Sequence, residues 1–277
     1  MLLVTGATGN IGAPLLHRLH ANGAEPLRAL TRDAARAAVP DGVEAFEADL
    51  TDPAARSRAL AGVRAMLLVS GLGPDREIIE AARRAGVEHV VLISSITVET
   101  HPHLGPAAEK AALEKELRAS GLEWTILRPT QFASNTALWA DAIRHDTPVR
   151  AAYADTGLPT IHPADIAAVA AVALTEPGHR GRTHALTGPE RITPREQVAA
   201  VAAALGRAIE FTEIDREQAR AELLPFFGAE SVDAVLDVTG GDVNDELRRV
   251  RDTVQQVTGT PARPFRVWAE ENVALFR

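Results

Sequence analysis

The stretch LVTGATGNIG, residues 3–12, decides the fold. It runs from a short apolar segment into three glycines, Gly6, Gly9 and Gly12, spaced G-x-x-G-x-x-G, and then into a helical pattern. Glycines at such a turn let the chain reverse tightly and bring free backbone N–H groups to a pyrophosphate at a helix start. Gly6, Thr8, Gly9, Asn10, Ile11 and Gly12 are read as that cradle, with Gly12 letting the helix pack close to the strand. The plainer reading is a tight turn without a ligand. The setting argues against it, because the turn heads a strand–helix alternation.

That alternation fills the first half of the chain. Short, nearly all-apolar runs at 2–5, 26–31, 43–48, 65–70, 87–95 and 124–127 predict strands. Amphipathic segments at 11–21, 34–38, 53–60, 75–85 and 106–119 predict the helices between them. The class is α/β, a Rossmann-type doubly wound parallel sheet with helices on both faces. Asp52 followed by Pro53 reads as a helix start, and Gly86 and Gly121 stand where helices end.

Beyond residue 129 the pattern loosens into helical stretches at 165–174, 195–205, 216–224 and 244–257, with strand-like pieces at 183–186 and 209–212. Thr193 and Glu196 form a capping box. Residues 1–129 are expected to form the nucleotide-binding domain. Residues 130–277 are expected to form a smaller, mostly helical substrate lobe at the sheet's carboxyl edge, interleaved with the first part and not independent of it.

The bulk properties narrow the function classes. A net charge of -8 argues against nonspecific nucleic-acid binding, which needs clustered positive charge. There are no cysteines for disulfides or thiolate metal sites. No segment reaches the roughly 20 apolar residues of a membrane span, and the opening MLLV is too short for a signal peptide. The expectation is a cytoplasmic protein with no membrane, nucleic-acid or metal partner. His101 and His103 have metal-pair spacing, but nothing in the sequence completes the set.

Two charged positions carry the chemistry. Twenty residues past Gly12, at the end of the second strand, an acid would grip the ribose of NAD; here the sequence reads ALTRD. Arg32 in that place accommodates the 2′-phosphate of NADP(H), with Asp33 read as the N-cap of the 34–38 helix. Lys110 shares a helix face with Leu113 and Leu117, so it points inward. It is a candidate for ribose binding or a proton relay. Its alternative is a lysine whose stem passes two leucines on its way to water.

Taken together, VTGATGNIG, RALTRD, FEADLTDP, VEHVVLISSI, KAALEKELRASGLEWTILRPTQFASN and ALTGPERIT resemble the atypical short-chain dehydrogenase/reductase group, in its NmrA-like branch of NAD(P)-binding proteins. The resemblance covers nearly the whole chain. It implies an NADP(H) site with Asp49 near the adenine, and Ser70 is assigned to the cofactor with it. It places Thr130, Gln131, Phe132 and Asn135 beside the nicotinamide and substrate. Ser95 looks like the superfamily's catalytic serine, although a serine closing a strand end reads equally well there. Reductases of the superfamily pair a tyrosine with a lysine four residues later. The lysine position resembles Lys110, but Pro106 stands where the tyrosine would be, and the single tyrosine is Tyr153. His162 is a further substrate-side candidate, as a group suited to proton transfer near neutrality.

These readings lead to an NADPH-dependent reductase acting on a small-molecule quinone or an aromatic or polyketide-type ketone without the usual tyrosine. The rival is a catalytically silent NADP(H)-binding redox sensor of the NmrA type. The segment LLPFFG, residues 223–228, reads either as a pocket cap or as the contact surface of a homo-oligomer.

Overall fold

In the computed structural model, which describes residues 1–24 and 26–277, seven parallel strands make the central sheet. They are β1 (Leu2–Val4), β2 (Leu27–Thr31), β3 (Glu44–Glu47), β4 (Ala65–Val69), β5 (His89–Ile93), β6 (Glu123–Pro129) and β8 (Arg182–Leu186). Their spatial order is β3-β2-β1-β4-β5-β6-β8, so the chain winds outward from β1 in one direction, returns and winds out in the other. A small parallel pair, β7 (Val149–Ala151) with β9 (Phe211–Glu213), lies outside this sheet.

Alternate residues of each strand feed opposite faces. Leu2, Val4, Leu67, Val91 and Leu127 pack under the helices Gly12–Ala21 and Pro163–Thr175. Leu3, Met66, Leu68, Val90 and Ile126 pack under Pro53–Leu60, Asp75–Arg84 and Gly105–Ala119. Both faces are covered, which is why these strands read as continuous apolar runs. β8 and the helix Pro163–Thr175 both come from beyond residue 130, and both belong to this layered core. Among the described residues no helix is long and apolar enough to cross a membrane.

Local signals were mostly obeyed. The Asp52 side chain accepts from the Ala54 and Ala55 N–H groups, and Thr193 and Glu196 close their capping box. Three expectations need correction. Residues 34–38 form no helix. Asp33 accepts from Arg36 N–H in a single turn, because five residues running towards Pro40 are too few to repay helix nucleation. The helix expected over 244–257 is two, Asp245–Arg248 and Thr253–Thr258. Between them the Thr187 hydroxyl takes both the N–H and the C=O of Arg251, which replaces the helical bonds. The helix expected to stop at Leu224 instead runs from Arg216 to Phe227, through Pro225, and ends at Gly228.

A buried histidine at the start of β5 gives a pH test. The Thr125 hydroxyl donates to the His179 carbonyl, so it accepts from His89 Nε2, 3.0 Å away. Burial, with Arg180 and Arg64 nearby, lowers the His89 pKa from 6.5 to about 4. The unfolded chain therefore binds the extra proton first, and stability falls as pH drops from 6.5 to about 4. Thermal unfolding measured across that window should show a smaller acid loss in His89→Asn than in the parent. An equal loss in both would show that other groups govern it.

Candidate functional site

The strand order reverses between β1 and β4, and in open α/β sheets ligands bind at such a crevice, beyond the strands' carboxyl ends. A groove of about 590 Å³ opens there. It is lined by Gly6, Thr8 and Gly9 after β1, by Arg32, Asp33 and Arg36 after β2, by Asp49 after β3, and by Gly71 and Leu72 after β4.

The glycine turn is built by contact. Gly6 takes φ +60, a left-handed conformation that favours glycine. Its carbonyl accepts from Gly9 N–H at 2.9 Å. A Cβ on Gly12 would lie 2.1 Å from the same carbonyl oxygen, so the helix can start this close to the turn only without one. The helix Gly12–Ala21 has no side-chain cap and no acid in its first turn. Ala13 N–H goes to the Gly9 carbonyl and Pro14 has none, so the donors that would meet an anion are the N–H groups from Asn10 to Gly12, and the residues present fit a pyrophosphate.

At the groove's outer end the Asp33 carboxylate engages Arg36, leaving the exposed Arg32 guanidinium at the end of β2. Asp49 accepts from Thr51 N–H at 2.8 Å, and its pKa is lowered by that bond and by the Thr51 side chain, with Arg32 adding to the effect.

Beside Gly71, just outside that lining, two sequence candidates meet. Lys110, half-buried on the helix Gly105–Ala119, donates from Nζ to Ser70 Oγ at 2.8 Å. Ser70 in turn donates to the Ile93 carbonyl at the end of β5. Burial lowers the Lys110 pKa, while Asp75 and Glu109 oppose the shift. Asp75 accepts from Gly71 N–H, and burial raises its own pKa. The lysine helix is fixed by Glu114, whose side chain is fully buried and bonded by Ser94, Arg128 and Arg118. Arg128, near the end of β6, is therefore half of a buried ion pair.

The remaining candidates fall into different surroundings. Ser95 Oγ accepts from the N–H and the hydroxyl of Thr97, in the strand-end role, and it makes no bond to Lys110. Thr130 follows β6, and its buried hydroxyl has no partner among the described residues. Phe132 turns into the core cluster and bridges to Ile161. Gln131 and Asn135 line a second, mostly apolar cavity of about 220 Å³, walled by Trp139, Leu158, Leu236 and the helix carrying Leu223, Phe226 and Phe227. His162 does not line it. His162 is the N-cap of Pro163–Thr175: its Nδ1 accepts from Ala164 N–H and its Nε2 faces Glu271 at 3.1 Å, so both nitrogens serve the fold. His101 likewise spends its nitrogens on Thr100 and the Asp242 carbonyl.

Tyr153, the single tyrosine, lines the same cavity as Gln131. No local signal points to it. Its placement depends on a left-handed backbone and on residues more than sixty positions away.

The chain matches the NAD(P)H-binding family over residues 6–177. It belongs to that family. Its place is in the NmrA-like, atypical short-chain dehydrogenase/reductase class, and it is an oxidoreductase with an NAD(P)H-binding domain. It is 41% identical over 282 residues to a (4-alkanoyl-5-oxo-2,5-dihydrofuran-3-yl)methyl phosphate reductase of Streptomyces griseus, covering 100% of this chain and 99% of that one. It is 34% identical to an NAD(P)H azoreductase of Xenophilus azovorans, covering 100% and 99%. An NADPH-dependent quinone oxidoreductase from Escherichia coli, solved with NADPH, superposes with a TM-score of 0.80 at 29% identity and full coverage of both chains.

Proposed function

We propose that this NAD(P)H-binding family member reduces a conjugated, electron-poor small molecule: a quinone, or an aromatic or polyketide-type ketone. The observation that carries the reading is the half-buried Lys110–Ser70 pair, next to Gly71 of the groove's lining and without a tyrosine on the same helix. When bound, NADPH supplies the hydride. A conjugated acceptor spreads the resulting charge onto an oxygen, which makes a dedicated tyrosine acid on that helix dispensable. The named relatives support this chemistry, since quinones, azo compounds and unsaturated furanones all share an extended electron-poor π system.

In this reading Gly6, Thr8, Gly9, Asn10, Ile11 and Gly12 hold the pyrophosphate, Arg32 takes the 2′-phosphate and Asp49 lies at the adenine end. Ser70 and Lys110 hold the nicotinamide ribose, and the Lys110 ammonium adds positive charge where electron density builds up. Thr130, Gln131, Phe132 and Asn135 shape the nicotinamide and substrate side, and Ser95 has a hydroxyl proton free to donate.

The test is NADPH oxidation by the purified protein against a panel of quinones and aromatic ketones, with Lys110→Ala alongside. Expected is a fall in kcat of about 100-fold with NADPH affinity kept within tenfold. The alkaline limb of kcat should lie below 10.5, because rising pH removes the Lys110 proton at its lowered pKa. Lys110→Arg should move that limb upward. No turnover on any acceptor, with NADPH still tightly bound, would replace the reductase with an NADP(H)-binding redox sensor.

A further inference from the structure

The segment LLPFFG, residues 223–228, reads in sequence as a pocket cap or as an oligomer contact. In the fold Leu223, Phe226 and Phe227 stand in the wall of the second cavity, at the end of the helix Arg216–Phe227. Leu138, on the short helical stretch Ala133–Trp139, lines the same cavity. Phe226 is 65% exposed, and Phe227 and Leu138 are exposed with it. Three large apolar side chains that line a cavity and also face water mark its mouth. Their exposure is unfavourable until something apolar covers them.

Behind the mouth the wall is mostly apolar, with Leu158, Ile192, Ile214 and Leu236 contributing to it. The two charged residues of the lining, Arg150 and Glu222, pair with each other at 2.8 Å. The buried Thr136 hydroxyl donates to the Gln197 side-chain oxygen at 3.1 Å, so these two groups are also spent within the wall. Such a lining leaves no unmatched charge for an ionic ligand and offers contact to a hydrocarbon.

The cavity is also placed to meet a substrate. Strands β4, β5 and β6 are neighbours in the sheet. Lys110 holds Ser70 just past the end of β4, Ser70 donates to the Ile93 carbonyl of β5, and Ile93 is in register with Leu127 of β6. The cavity begins at Gln131, two residues past the end of β6. Two strand spacings separate these points, roughly 10 Å across the carboxyl edge of the sheet. A ring held beside the nicotinamide along that edge can send a substituent into the cavity.

We propose that the second cavity seats an apolar chain carried by the substrate, so that this reductase takes alkyl-substituted quinones or ketones and grades them by chain length, with Phe226 and Phe227 covering the chain. The proposal rests on the reductase reading for the reacting ring and on the cavity alone for the chain. Each methylene moved from water into such a wall strengthens binding about fourfold. A bare ring gains nothing from it.

Two series test this. The first is NADPH oxidation with 2-alkyl-1,4-naphthoquinones carrying methyl, propyl, pentyl and heptyl chains. The second is calorimetric binding of 4-alkylphenols with the same chains, which accept no hydride, to the NADP⁺-loaded protein. Quinone KM and phenol Kd should both fall about fourfold per methylene until the cavity is filled. Phe226→Ala, at a side chain too exposed to matter to the core, should cut the heptyl-over-methyl preference about tenfold in both series. Phenol affinity that does not change with chain length, or a preference that Phe226→Ala leaves intact, overturns the chain site. Turnover with a flat KM series overturns it too and leaves the reductase standing. A graded phenol series with no quinone turned over upholds the chain site while the reductase reading fails.

Discussion

Gly12→Ala should weaken NADPH binding about 100-fold in Kd, while the chain keeps its strand content. The added Cβ would lie 2.1 Å from the Gly6 carbonyl oxygen, 2.7 Å from its carbon and 2.9 Å from Ala7 Cα. These are backbone atoms, so no side-chain rotation relieves the clash. The helix start must retreat by about an ångström, and displacements of that size at a reacting or binding centre cost roughly 100-fold. Overpacking adds about 1–3 kcal/mol of destabilisation. Gly23→Ala is the contrast: that glycine has a positive φ, which Gly12 does not, but it has open space around it and does not line the groove. It should lose a little stability and no affinity. Titration of each variant by NADPH fluorescence separates the two cases. Near-normal binding by Gly12→Ala would remove the turn from the cofactor site.

Glu114→Ala should cost up to about 3–5 kcal/mol of stability, read from urea unfolding, because it leaves the Arg128 guanidinium beneath the helix only its looser 3.6 Å pairing with Glu99. Burial works against the Glu114 charge. The hydrogen bonds from Arg128 and Ser94 outweigh it, and the carboxyl titrates below its ordinary 4.5. The folded pKa is thus the depressed one. The contribution is fully present above about 4.5 and is lost as pH falls through the folded value. Removing both charges, as Glu114→Gln with Arg128→Met, should recover much of the loss, since a neutral pair leaves no buried charge unmatched. If the double variant is as unstable as the single one, packing and not charge explains the cost.

The parts of this fold legible in the sequence are those set by neighbouring residues. The glycine turn, the apolar strands, the Asp52 and Thr193 caps and the inward Lys110 all follow from spacing and local chemistry. Ser70 and Lys110 were each assigned to the cofactor, but the bond joining them belongs to the winding of the sheet. Where the reading erred, distant residues took over local groups. Thr187 breaks the expected 244–257 helix by claiming the Arg251 backbone, and Glu271 faces His162 across the lobe. The surroundings of Tyr153 were out of reach for the same reason. Its seat is made by Gly240, and its partner Arg216 is 63 positions away.

The return of β8 to the sheet has a consequence for how the chain assembles. The first five strands, the glycine turn and the Lys110 helix are all complete in sequence before Pro129. A chain growing from its amino end therefore makes every wall of the dinucleotide groove first. The edge of β6 must wait for a partner until residues 182–186 arrive, after the segment that walls much of the second cavity. Until then β6 presents a row of unpaired N–H and C=O groups, the kind of edge that recruits other chains. Nascent protein stalled between those points would be the form most prone to aggregate. Early occupancy of the groove by the dinucleotide would steady the half already made while the open edge waits.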